Sequence, residues 1–210
     1  MRSFNDYISE KLYIGKGFGN KKVFFPANKE ELDELLERLL PERGYNADLN
    51  DIDVSNIDNM SFLFSKYDHI ENIDISKWDV SNVTRMCNMF RDCKRFNSNL
   101  GDWDVSNVKD MESMFQGCES FTGQGIENWD TKNVETMEGM FAFCKKFNID
   151  ISKWDVSNVK SFASMFENSV GFNKDLSKWN ISNSTDTRWM FLGCSALTYK
   201  PSWYKNETDR

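Results

Sequence analysis

The 210-residue sequence predicts an α/β repeat protein, a solenoid of about six short strand–turn–helix coils with an N-terminal cap of one strand and one helix. The motif Trp-Asp-Val-Ser-Asn-Val returns every 25 or 26 residues. Apolar residues within each copy follow helical spacing, and a short alternating stretch precedes each tryptophan. A fixed period of 20–50 residues indicates one structural unit stacked repeatedly.

Each copy of the repeat is numbered from its tryptophan as position 0. The copies start at Ile52, Trp78, Trp103, Trp129, Trp154 and Trp179. The first copy lacks the tryptophan and the last departs from the motif, as terminal repeats commonly do.

The middle of each copy predicts a short helix. Met86, Met89, Phe90 and Cys93 stand at i, i+3, i+4 and i+7, which is one face of a helix. Two turns are too short to be stable alone, so this helix must pack on its neighbours. The alternating stretch 151–156 predicts a strand. Because strands pair about 4.8 Å apart and helices pack about 8–10 Å apart, we expect a curved stack with the strands on the concave side.

Two invariant columns predict a structural ladder. An Asn at position +4 can bond the turn backbone of its own and the neighbouring copy, which would satisfy groups that a tight coil buries. A ligand-binding role for these amides is the alternative. The ladder comprises Asn56, Asn82, Asn107, Asn133, Asn158 and Asn183, together with Trp78, Trp103, Trp129, Trp154 and Trp179.

A carboxylate column follows the tryptophans at position +1. Its members are Asp53, Asp79, Asp104, Asp130 and Asp155. We expect each to accept N–H groups of its own turn. Calcium binding is the alternative, although one carboxylate per coil is sparse for a calcium loop.

The five cysteines are predicted to be reduced structural thiols. Four share position +15, and none forms a Cys-x-x-Cys pair. An odd number favours a reducing compartment. If successive helices lie about 8–10 Å apart, the column is too widely spaced for disulfides, which need Cα atoms within about 7 Å.

The chain divides into four segments. Residues 1–22 are predicted to form an N-terminal arm and linker or hairpin, 23–51 a capping strand and helix, 52–198 the repeat solenoid, and 199–210 a C-terminal cap or tail. In the cap, Asn28 is the expected N-cap, and five leucines follow at amphipathic spacing before Pro41 and Gly44. The arm, with apolar residues at helical spacing, either packs on the first coil or docks a partner.

Composition excludes several classes of function. The net charge is −7 and Lys/Arg residues are scattered, which argues against a nucleic-acid partner. No apolar run approaches the roughly 20 residues of a membrane span. No signal peptide or anchor is visible, so a cytoplasmic or virion-associated protein is expected. The single histidine, His69, makes neither a zinc site nor a catalytic triad. We therefore expect no cofactor and no enzyme activity.

A candidate partner-binding surface lies just before each tryptophan. The residues at position −1 are Lys77, Asp102, Asn128, Lys153 and Lys178. They vary between copies while the core columns do not, as expected of a surface that recognises a partner. The alternative is that they are simply solvated. We expect them on the concave strand side.

The motifs resemble a known family. Trp-Asp-Val-Ser-Asn-Val, followed by Met-x-x-Met-Phe-x-x-Cys, Phe-Asn and Ile-Ser-Lys-Trp, is similar to the repeat of the BspA-like leucine-rich-repeat surface proteins over residues 52–198. This resemblance implies a leucine-rich-repeat-like solenoid, a non-enzymatic binding role and surface adhesion. The chain is thus interpreted as a protein-binding module. Alternatives are a structural component of a phage particle or surface layer, docked by its N-terminal arm, and a cytoplasmic scaffold.

Overall fold

A computed structural model describes residues 15–16, 22–182 and 185–205, with side chains from residue 24 onward. The apolar residues of the predicted arm lie outside this range. Strands β1 (Gly15–Lys16) and β2 (Lys22–Val23) pair antiparallel as a two-stranded ribbon, in agreement with the hairpin interpretation of this segment. Helix α1 spans Lys29–Arg43, and a short 3-10 helix spans Ile126–Asn128.

Helix α1 forms for the expected reasons. Asn28 is its N-cap, and Oδ1 of Asn28 accepts the backbone N–H of Glu31 at 3.0 Å. The five leucines are all buried in the same core as the repeats. The helix continues through Pro41 in its last turn, so only Gly44, with φ 86°, ends it.

The predicted α/β solenoid of strand–turn–helix coils is wrong. Within the described part of residues 52–198 there is no α-helix, and no strand extends beyond a single bridging residue. The predicted strand at 151–156 is a turn followed by irregular backbone. Each copy is instead a succession of turns that stacks in register on the next copy.

Turns replace the predicted short helix. From Met86 to Asp92, every second backbone N–H donates to a carbonyl of the following copy, as Asn88 does to Glu112 at 2.8 Å. The N–H groups between them close turns within the copy, as Met89 does to Met86 at 3.2 Å. The i→i−4 bonds of an α-helix are therefore absent here, because neighbouring copies take half of the donors.

Residues with a left-handed backbone conformation account for the helix-like spacing of the apolar side chains. Positions +10 and +14 have positive φ in the second to sixth copies, for example Asn88 at 55° and Asp92 at 61°. The same holds for Ser113 and Gly117 one copy later. A reversal every four residues returns the chain to the core at i, i+3, i+4 and i+7, which is the spacing of a helical face.

A column of parallel bridges at position +7 joins the copies. Its members are Asn59, Arg85, Asp110, Thr136, Ser161 and Asp186. The phenylalanines at position +12 stack with ring centroids 5.2–5.8 Å apart. Copies are therefore about one strand spacing apart on the turn side too. Curvature was predicted because the helix side of each copy was expected to be more widely spaced than the strand side. That difference in spacing is absent.

Two phenylalanine columns form the centre of the core. Within one copy, Phe90 and Phe96 stack with centroids 4.1 Å apart, and both are fully buried. Phe115 and Phe121 repeat this pair at 4.2 Å in the next copy. The core is thus a continuous aromatic stack along the axis of the repeats.

Candidate binding surfaces

The tryptophan column ties each copy to the one before it. The indole Nε1 of Trp103 donates to the carbonyl of Ile75 at 3.0 Å, and Trp129 donates to Leu100 at 3.1 Å. Trp78, Trp154 and Trp179 make the equivalent bond. Trp203 does so too, at 3.1 Å to Leu176, and therefore begins a further copy that the sequence analysis missed.

The asparagine column forms hydrogen bonds between copies from an exposed position. Nδ2 of Asn107 donates to the carbonyl of Ser81 at 2.8 Å, and Asn82, Asn133 and Asn158 make the corresponding bonds. These side chains are exposed, while the carbonyls that accept from them belong to the neighbouring copy. Asn56 is exposed in the first copy, and Asn183 lies outside the described residues.

The aspartate column caps turns. Oδ1 of Asp155 accepts the backbone N–H of Ser157 at 3.0 Å and its hydroxyl at 2.7 Å. Hydrogen bonds from the Ser157 side chain and backbone lower the pKa of Asp155. Asp53, Asp79, Asp104 and Asp130 accept the same N–H of their own turns. These oxygens therefore serve the backbone, as predicted for this column.

The cysteine column lies inside the stack. Sγ of Cys118 donates to the carbonyl of Phe90 at 2.9 Å, and burial raises the pKa of this thiol well above its usual value. Ser169 occupies the same position and donates its hydroxyl to Phe141. The expected wide separation of the column is wrong because the copies stack at strand spacing. All five cysteines are nevertheless buried.

The residues before the tryptophans form an exposed row. Lys77, Asp102, Asn128, Lys153 and Lys178 are all exposed, and this set is called the polar row. It does not lie on strands, since residues 151–156 and their equivalents are turns and irregular backbone. The predicted concave strand surface is therefore absent, and the polar row is a surface of turns.

A second surface carries exposed aromatic residues. It comprises positions +10 to +16 of each copy and is called the turn surface: residues 62–68, 88–94, 113–119, 139–145, 164–170 and 189–195. Phe62, Phe143 and Trp189 here are 52%, 41% and 43% exposed. Each has positive φ, at 62°, 61° and 56°. Val170 and Leu192 are also exposed here, so this surface holds five of the seven exposed large apolar residues among the described side chains.

These aromatic residues occupy positions that favour other side chains. At +10 and +14 most copies carry Gly, Ser, Asn or Asp, which tolerate the left-handed region. A bulky residue there costs about 1–2 kcal/mol. The sequence analysis missed this surface, and its signal was the recurrence of small and Asx residues at these two positions.

Comparison with known proteins places the chain in a family. The family described as "Mycoplasma protein of unknown function, DUF285" matches residues 34–124 and again residues 119–208. The chain belongs to this family. The first DUF285 match begins inside α1 and the second extends past Trp203, so together they include the last two-thirds of the helix and every copy. No curated protein matches the DUF285 chain significantly.

One solved structure gives a distant likeness. It is a leucine-rich-repeat protein of Leptospira interrogans, 8% identical, with a TM-score of 0.35. The alignment covers 73% of this chain and 45% of that chain, so the DUF285 chain spans less than half of the length of that protein. A likeness this weak does not define the fold of the DUF285 repeat.

Metal-binding side chains are not clustered in residues 15–16, 22–182 and 185–205. Within these ranges no group of three or more His, Cys, Asp or Glu side chains could hold a metal ion. His69 is exposed and lies 3.3 Å from the carboxylate of Asp68. The described helices include none long and apolar enough to cross a membrane.

Proposed function

We propose that the DUF285 chain is a non-catalytic protein-binding module that contacts its partner through the turn surface. The observation that carries this proposal is that Phe62, Phe143 and Trp189 are both strained and exposed. Strained backbone conformations are concentrated at functional sites because selection otherwise removes them. Exposed aromatic residues are the side chains most enriched in protein interfaces.

The register of the stack places these side chains on one surface. Backbone bonds join position +14 of one copy to position +13 of the next, as Asp92 N–H does to Gln116 at 2.7 Å. Phe143 continues that series with a 2.7 Å bond to Glu167. Val170 and Leu192 follow in the next two copies. This surface therefore offers apolar anchors on a framework that is already ordered before binding, which lowers the entropic cost of association.

The BspA-like resemblance extends this proposal. The repeat motif is similar to that of surface proteins for which adhesion is proposed, and adhesion would use such an apolar surface on an exported chain. The polar row remains a second possible contact, and the two surfaces can be tested against each other.

Site-specific crosslinking separates the two surfaces. A photoreactive phenylalanine analogue is placed at Phe143 on the turn surface, or at Lys153 in the polar row, and partners from the source cells are identified by mass spectrometry. We expect a discrete crosslinked protein from position 143 and none from position 153. The reverse result would move the interface to the polar row.

Substitution then tests whether the aromatic residues are needed. Phe143→Asn and Trp189→Asn should abolish capture, while the free energy of unfolding stays within about 1 kcal/mol of the parent because relief of strain offsets lost contacts. Ser164→Gly is the matched control. It stands at position +10 of the fifth copy, the position that Trp189 occupies in the sixth, and the variant should retain capture. Undiminished capture by the double variant Phe143→Asn/Trp189→Asn would refute the proposal.

A further inference from the structure

An open groove of about 440 Å³ lies beside the polar row, away from the turn surface. Side chains of the first three copies line it, and the polar ones that matter here are Asp74, Asn97, Asn99, Asp102 and Gln124. Its volume is in the range that small ligands occupy in proteins. Neither the proposed protein interface nor the core uses this groove.

The third copy, which contributes Gln124 to the groove, is one residue longer than the second, fourth and fifth copies. The interval from Trp103 to Trp129 contains an extra residue, accommodated by Gly123 and Gly125 with φ 86° and 96° and by the 3-10 helix Ile126–Asn128. A β-carbon on Gly125 would lie 2.2 Å from Oδ1 of Asn99, so only glycine fits there. Insertions in repeat proteins often mark the binding face.

Two amide donors in the groove are fixed by turn bonds. Oδ1 of Asn97 accepts the N–H and the hydroxyl of Thr122, both at 2.9 Å. Oδ1 of Asn99 accepts the N–H of Gly101 at 2.9 Å. Each oxygen is thus identified by its bonds, and Nδ2 of each side chain remains to donate. Preorganised donors bind a ligand without first losing conformational entropy.

Carboxylates supply the acceptors. Oδ1 of Asp74 is held by Ser76, whose N–H and hydroxyl donate at 3.1 and 2.7 Å. Among the described residues Asp102 makes no hydrogen bond or ion pair, and it is exposed, so both of its oxygens can accept. The groove therefore combines fixed amide donors with one free carboxylate, that of Asp102, because the Asp74 carboxylate already accepts from Ser76.

This combination selects a class of ligand. The two carboxylates of the groove would repel an anion. An apolar ligand would leave these carboxylates and the amides of Asn97 and Asn99 without hydrogen-bond partners. A hydroxyl group can donate to a carboxylate and accept from an amide at once. We propose that the groove binds a neutral carbohydrate of one or two rings, with Asp102 as an acceptor and Asn97 and Asn99 as donors.

The test is saturation-transfer difference NMR on the full chain. The probes are methyl β-galactoside, methyl α-mannoside, N-acetylglucosamine and lactose, with galacturonate as the anionic counterpart and a Gly-Ser peptide as the non-sugar control. We expect transfer to at least one neutral sugar and none to galacturonate or the peptide. Asp102→Ala should weaken binding about tenfold or more, since bonds to charged groups are the stronger ones.

Two further variants complete the design. Gln124→Ala should reduce binding, and Lys153→Ala, at the position of Asp102 two copies further on and outside the groove, should leave it unchanged. The proposal would be overturned if no saturation were transferred to any neutral sugar, if transfer to galacturonate were equal, or if only the peptide bound. Undiminished sugar binding by the Asp102→Ala variant would also overturn it. Partner capture by the turn surface is measured separately, so the failure of one proposal leaves the other standing.

Discussion

Oδ1 of Asp92 lies against the α-carbon of Gly117 in the next copy, so closely that a β-carbon on Gly117 would be 2.5 Å from it. Asn168 and Gly193 repeat the relationship at 2.3 Å. All four residues have positive φ and stand at position +14. Asp92 and Asn168 thus each require glycine at this position in the following copy.

Gly117→Ala should therefore be strongly destabilising. We expect a loss of about 2–4 kcal/mol in the free energy of unfolding, from the left-handed backbone and from the clash with Asp92. Urea unfolding followed by tryptophan fluorescence measures it.

Gly139→Ala is the matched control for that substitution. Gly139 has φ 60°, and its β-carbon would meet only the Ser113 hydroxyl, at 3.0 Å, which can rotate away. It should lose about 1–2 kcal/mol, for the backbone conformation alone. The double variant Asp92→Gly/Gly117→Ala should recover most of the difference. Equal losses in the two single variants would show that the contact with Asp92 is unimportant.

The tryptophan column predicts a second loss of stability. Trp103→Phe removes the donor to the buried carbonyl of Ile75 and leaves a small cavity, so we expect a loss of about 2–4 kcal/mol. Trp203→Phe removes the same bond at the half-buried end of the stack. Because Trp203 itself is only half-buried, less apolar surface is lost there and that loss should be at most half as large. Similar losses at both sites would argue against a role for burial.

The cysteine column should be chemically inert in the folded protein. Burial, aided by the nearby carboxylates of Asp92 and Asp68, raises the pKa of Cys93 to about 12. At pH 8 its thiolate fraction would be about 10⁻⁴. Ellman's reagent should react with the column only after denaturation.

Cys87, outside the column, provides an internal comparison. It is 8% exposed, and its thiol donates to the hydroxyl of Ser61 at 3.1 Å. Any early reaction of the folded chain with the reagent should disappear in the double variant Cys87→Ser/Cys194→Ser, because Cys194 at the end of the column is 9% exposed. Rapid titration of all five thiols in the folded state would contradict the packing described.

The turn aspartates predict loss of stability in acid. Hydrogen bonds from Ser106 and Ser157 lower the pKa of Asp104 and Asp155 in the folded chain. Their contribution is present above the unfolded pKa of about 4 and is lost as the pH falls through the lowered folded value. The midpoint of thermal unfolding should therefore fall as the pH decreases below about 4.

Asp155→Asn isolates one of these groups. The amide oxygen can still accept the Ser157 N–H, but it does not titrate in this range. We expect the variant to be less stable than the parent at neutral pH and to approach it below about pH 3. A constant difference across the pH range, measured by circular dichroism, would exclude the carboxylate as the cause.

Sequence reasoning succeeded where the signal was local. The Asn28 cap and the leucine spacing define α1 because both act within one helix. The tryptophan and cysteine columns were recognised because stacked copies repeat their chemistry. The predicted short helix failed because a turn with a left-handed residue every fourth position buries the same side chains as a helical face. Gly117, Gly139 and Gly193 at the two left-handed positions were the evidence against a helix.

The two candidate surfaces could not be derived in this way. Phe143 is an apolar residue of the kind that usually lies in the core. It is exposed here, at a position where the backbone has positive φ. The groove beside Asp102 is formed by side chains of three successive copies. Both depend on distances between copies, which the spacing along the chain does not determine.

The bonds between copies also have a kinetic consequence. Backbone bonds between neighbouring copies join residues about 25 positions apart, so the stack forms without closing any long loop. Closing each loop carries the same modest entropic penalty, and the next copy adds onto an edge that is already ordered. Folding can then begin in the central copies and spread outwards. Adding a copy would lengthen the ordered stack without introducing any slower closure step.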